Sequence, residues 1–116
     1  MNTAAFNENF KEQVSRCEKI LCRKADEYAT QERLHNFKVA AELQGCTPEQ
    51  ALAGMMAKHT VSVFDMCMSG AEYPIDLWEE KITDHINYLF LLPAMVHEEG
   101  NTAAYDLRSH AETSAE

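Results

Sequence analysis

Between Trp78 and Leu92 the segment WEEKITDHINYLFLL sets Glu80, Lys81, Asp84, Asn87 and Tyr88 at three- and four-residue steps, the spacing that gathers side chains on one face of a helix. Trp78, Ile82, Ile86 and Leu89 fall on the other side. A solvated face favours Glu, Lys, Gln and Arg, whereas Asn and Asp cost helix propensity and Tyr exposes a ring. This mixture therefore asks for another reason. Leu77 and Leu91 bound the polar cluster one turn beyond each end, so the face suggests the wall of a pocket or an interface. The plainer alternative is a water-facing surface with some unusual members.

Glu80 and Asp84 stand four residues apart, and Glu27, far upstream, is the carboxylate best placed to meet them from another helix. Oxygen ligands of this kind suit Mg²⁺ or Mn²⁺. Lys58 and His59 are a second chemical pair: a lysine beside a histidine at the edge of a buried stripe could hold a phosphate and polarise it. Taken singly, His59 also fits a core histidine satisfied by a neighbour, and Lys58 a surface residue. Asn36 stands near a helix start, where an amide either caps the helix or bonds a ligand. Zinc chemistry fits less well, because His97-Glu98-Glu99 lacks the second histidine of a metalloprotease helix and Asp84-His85 reverses the order used by metal phosphohydrolases. No serine or cysteine pairs with a base by spacing, and there is no glycine-rich phosphate loop.

Four helices must position these groups. Phe6, Phe10, Val14, Cys17, Leu21, Ala25 and Tyr28 recur at helical steps without Pro or Gly, predicting a helix over about residues 3–30 with Glu27 at the edge of its stripe. Leu34 to Leu43 reads as a short helix ended by Gly45 in the left-handed conformation. Thr47-Pro48-Glu49-Gln50 is a strong start signal: an N-cap Thr, Pro in the first turn and Gln three after the cap. The helix it opens carries Leu52, Met55, Met56, Val63 and Met66 as its apolar stripe, with His59 in the middle. Gly70 and Pro74 break the chain before a fourth helix from about Ile75 to His97, where Pro93 predicts a kink or irregular turn over Leu89 to Leu92. The arrangement expected is an all-α, four-helix antiparallel bundle over residues 1–98, followed by a polar helix or tail over 99–116, with a short helix near Ala103 to Ala111.

Composition narrows the partners. The 116 residues carry 10 Lys and Arg against 19 Asp and Glu, a formal net charge of −9; this disfavours sequence-independent binding to nucleic acid or anionic membrane, which needs a positive field. The longest apolar run, Tyr88 to Val96, is far short of a membrane span. Cys17, Cys22, Cys46 and Cys67 have no Cys-x-x-Cys spacing, and Met1 to Asn9 show no signal core, so the expectation is a cytoplasmic protein with reduced thiols.

Lys24-x-x-Glu27-Tyr28, then Asn36-Phe37, then a Thr-Pro-Glu helix reaching Lys58-His59, then Trp78-x-x-Lys81-x-x-Asp84-x-x-Asn87-Tyr88 resembles the small, often phage-encoded relatives of MazG-like all-α nucleoside triphosphate pyrophosphohydrolases. It also resembles domains associated with nucleotide modification. The resemblance spans roughly residues 17–97. It implies a homodimer or homotetramer that binds a nucleotide phosphate with Mg²⁺ and cleaves a nucleoside triphosphate to monophosphate and pyrophosphate. On that pattern Glu27, Glu80 and Asp84 would hold metal, and Lys58 and Lys81 would stabilise phosphate charge. Lys24, Asn36, His59, Asn87 and Tyr88 would complete the nucleotide site. The sequence departs from the pattern three residues before Asp84, where Lys81 replaces a glutamate and Glu80 stands one residue away. Fewer carboxylates leave Mg²⁺ held mostly by water and phosphate. Two other functions fit the same residues: a module that binds a nucleotide or nucleotide signal without turnover, and an acidic phage protein that engages and inhibits a host protein.

Overall fold

The computed structural model describes residues 1–27 and 32–99, with side chains over 1–23 and 32–98. The side chains of Lys24 and Glu27 lie outside the described ones, and Tyr28 and the helix expected near Ala103 to Ala111 lie outside the described residues. The described chain is all-helical: α1 (Thr3–Glu27), α2 (His35–Gln44), α3 (Pro48–Ser69) and α4 (Ile75–Glu99). None of these helices is long and apolar enough to cross a membrane.

The local signals act as their chemistry requires. The Thr47 hydroxyl accepts from the Gln50 backbone N–H at 3.2 Å while the Gln50 side chain accepts from the Thr47 N–H at 3.0 Å, a reciprocal capping box with Pro48 in the first turn. Gly45 closes α2 at φ 66°; its N–H donates to the Glu42 carbonyl at 3.3 Å and the Cys46 N–H donates to the Ala41 carbonyl at 2.9 Å. Asn36, by contrast, caps nothing: it is exposed, and the Glu32 carboxylate takes the Leu34 N–H at 3.0 Å instead. Glu32 also pairs with Lys38, which reaches on to Glu98 and so ties the start of α2 to the end of α4. Both carboxylate contacts raise the Lys38 pKa, and the Leu34 N–H with Lys38 holds Glu32 below its ordinary value.

α4 packs on both α1 and α3, and α2 packs on α3. Leu34, Phe37, Leu52 and Met95 form the buried centre, with Met55, Tyr88, Leu91 and Leu92 against it. Two expectations need correction. The apolar stripe of α1 is not buried along its length: residues 1–12 are all exposed, Phe6 at 59% and Phe10 at 60%, and full burial is reached at Cys17. Of the kink or irregular turn expected at Pro93, the irregular turn is absent over Leu89 to Leu92. α4 runs through Pro93 as one element, and because Leu89 and Pro93 are both exposed, water can serve the carbonyl that loses its intrahelical donor.

Candidate functional site

The most buried positions of α4 step along one line, Thr83, Asn87 and Met95, with half-buried Leu91 between the last two. That line belongs to the polar side of the helix rather than the Trp78–Ile82–Ile86 side, whose residues are only half-buried and whose Leu89 is 47% exposed. Thr83, 1% exposed, is satisfied by Gln13 of α1, whose amide donates to its hydroxyl at 3.0 Å. Gln13 in turn accepts from Arg16, which approaches Glu79 at 3.8 Å. These contacts fix α1 against the first half of α4 and set the rotation that turns Asn87 inward.

One turn further on, a cavity of about 230 Å³ opens between all four helices. Its walls are Leu21 from α1, Arg33 and Phe37 at the start of α2, His59 from α3, and Asp84, Asn87, Tyr88 and Leu91 from α4. Asn87 is 6% exposed, and among the described residues neither its amide nitrogen nor its carbonyl oxygen has a hydrogen-bond partner. A carboxamide kept this way costs about 1–3 kcal/mol relative to a paired one, so its presence at a cavity wall is informative. The Tyr88 ring lies 4.8 Å from the His59 ring, tilted by 36°, and meets Phe37 edge-on at 6.3 Å. The cavity thus has an aromatic flank and an amide that can both donate and accept.

Burial pushes the His59 imidazole below its ordinary pKa; the charge of Asp84 opposes that shift, while Lys58, Lys81 and His85 reinforce it. At neutral pH the ring is therefore mainly uncharged, with one nitrogen donating and one accepting.

The sequence-selected residues separate into groups. His59, Asp84, Asn87 and Tyr88 come together at the cavity. Lys81 is half-buried and, like exposed Lys58, acts on His59 through its charge without forming a wall. Asn36 is exposed and also outside the walls. Glu80 does not share the site of Asp84: it borders shallow grooves with Asp76, Leu77 and Glu79 instead. A four-residue step also carries Glu80 about 6 Å along the helix axis from Asp84, and that displacement, rather than rotation, puts it beyond the cavity wall. Among the described residues, no three His, Cys, Asp or Glu side chains gather where they could hold a metal ion, and Asp84 is the one carboxylate in the cavity wall. Lys24 and Glu27 lie outside the described side chains.

Sequence reasoning passed over Arg33, Leu21 and Thr83. Arg33 brings a guanidinium to the wall from the turn before α2, and no periodicity marks a residue in a turn. Thr83 was visible as a polar residue four before Asn87, a step that places it on the same line. No family model matches the chain, and neither the search of curated proteins nor that of solved structures returns a match.

Proposed function

We propose that the cavity is a nucleotide-binding site which takes the base, with sugar and phosphates outside. The observation that carries this reading is the buried carboxamide of Asn87, which has no partner among the described residues: its adjacent donor and acceptor match the donor–acceptor edge of a nucleobase, and pairing them would recover the cost of their burial. The flank made by Tyr88 and His59 gives a planar ring an aromatic surface to lie against. At about 230 Å³ the space is below the roughly 300–1,000 Å³ of sites that enclose drug-sized ligands, which suits a ring rather than a whole nucleotide. Arg33 supplies a guanidinium of the kind that bonds phosphate oxygens.

Pyrophosphohydrolysis of a nucleoside triphosphate is the reaction that the motif order supports. Mg²⁺ would need more oxygen ligands than Asp84 alone; the described residues do not furnish that set, and no catalytic step is derived through the metal. What this chain contributes is recognition: Asn87 reads the edge of the ring, Tyr88 and His59 cover its face, and Asp84 places a negative charge beside His59.

The test is a thermal-shift series with nucleoside mono- and triphosphates, with and without Mg²⁺, followed by assay for pyrophosphate release from any triphosphate that binds. At least one base should raise the melting temperature, its ribose phosphate alone should not, and Asn87→Leu should remove the shift. If no nucleotide moves the melting temperature at millimolar concentration, the proposal fails. Binding without pyrophosphate release would keep the site and discard the hydrolase.

A further inference from the structure

Opposite the face that packs on α2 and α4, α3 carries a second apolar stripe that the other described residues leave open. Gly54, Ala57, Val61, Phe64 and Met68 alternate by three and four residues, the a and d positions of a heptad seam. All five are exposed, with Val61 at 56%, Phe64 at 61% and Met68 at 69%. A Cβ added at Gly54 would meet nothing within 4 Å. Lys58 and Asp65 flank the seam on one side at equivalent e positions; both are exposed, and neither makes an ion pair or hydrogen bond among the described residues.

We propose that this stripe is a two-fold contact with a second copy of the chain, α3 lying antiparallel to its counterpart with the axis between Ser62 and Val63. Antiparallel seams set an a residue against a d residue, so only a few registers are open. With the axis at this point, Ala57 meets the partner's Met68 and Val61 meets the partner's Phe64. Each of the four layers then joins a small side chain to a large one. In the same register Lys58 falls beside the partner's Asp65, and symmetry repeats the pair. Moving the axis half a heptad toward the N-terminus sets Ala57 against Val61, and brings the two copies of Lys58 face to face. A parallel pairing stacks like on like and leaves a hole at Gly54. It also turns Lys58 and Asp65 toward Ala53, Thr60 and Cys67, which carry no opposing charge. Side-chain size and charge thus choose the same register and the same orientation.

Four layers make a small contact, below the roughly 1,000 Å² typical of stable interfaces, so the association is reversible and concentration-dependent. It does not depend on the nucleotide reading, because the seam and the cavity lie on opposite sides of α3.

Sedimentation velocity of the full chain over a concentration series tests the proposal. A monomer–dimer equilibrium is expected. Val61→Glu should weaken it at least about tenfold, the scale of losing a buried apolar contact, while leaving the circular dichroism spectrum unchanged. Lys58→Asp and Asp65→Lys should each weaken the dimer, and the two together should restore it. A chain that stays monomeric at every concentration overturns the proposal. So does a dimer indifferent to Val61→Glu but lost with Phe10→Glu, which would place the contact on α1. Failure of the double charge exchange to restore association overturns the antiparallel register.

Discussion

Replacing Asn87 by leucine separates what the fold needs from what the cavity is for. The side chain is 6% exposed with neither polar atom paired among the described residues, and burying such a group costs about 1–3 kcal/mol. Leucine is close to asparagine in size and would sit beside Leu91 and Phe37, which already line the cavity, so the substitution removes that cost and adds apolar burial. In a domain of about a hundred residues, 1 kcal/mol moves the melting temperature by about 4–8 °C. The ligand-free variant is therefore expected to melt several degrees higher than the parent, while the nucleotide-dependent shift disappears. Such a gain in stability with a loss of binding is what a residue kept for its ligand should give. Differential scanning calorimetry at one fixed protein concentration measures both, since association would otherwise add its own dependence. A variant that melts several degrees lower would show that the amide supports the fold, and a retained nucleotide shift would show that it does not touch the ligand; either result refutes the reasoning.

Other perturbations test the frame around the cavity. Because burial lowers the folded-state pKa of His59 below its ordinary 6.5, the unfolded chain takes up the proton first as pH falls. Stability should decline as pH drops below about 6.5 and level off below the folded value, and urea titrations should show a flatter slope in that window for His59→Gln. Thr83→Val removes the hydroxyl that accepts from Gln13, and should cost about 1 kcal/mol in urea unfolding, with weaker nucleotide binding as α4 loses its rotational anchor. Thr47→Ala breaks the capping box of α3 and should cost about 1 kcal/mol with binding unchanged; a stability equal to the parent would show that packing alone holds that helix end.

The sequence by itself determined the four helices of the described residues and most of their ends, because caps and breakers act over three or four residues: Thr47 with Gln50, Gly45, and the Gly70–Pro74 break need no distant partner. It also put His59, Asp84, Asn87 and Tyr88 on faces that could meet, since helical spacing is a local property. Three things were decided only by tertiary packing. Asn87 met the cavity and Glu80 did not, although seven residues bring both to nearly one direction on the helix, because Glu80 sits about 10 Å earlier along the axis of α4 and only the packing of the other helices decides where along it the cavity opens. The first three turns of α1 stayed exposed, although Phe6 and Phe10 continue its apolar stripe, because a stripe states a preference for burial and only a facing element can provide it. Arg33 joined the cavity from a turn, where spacing carries no signal and only the path of the chain brings a side chain to its place.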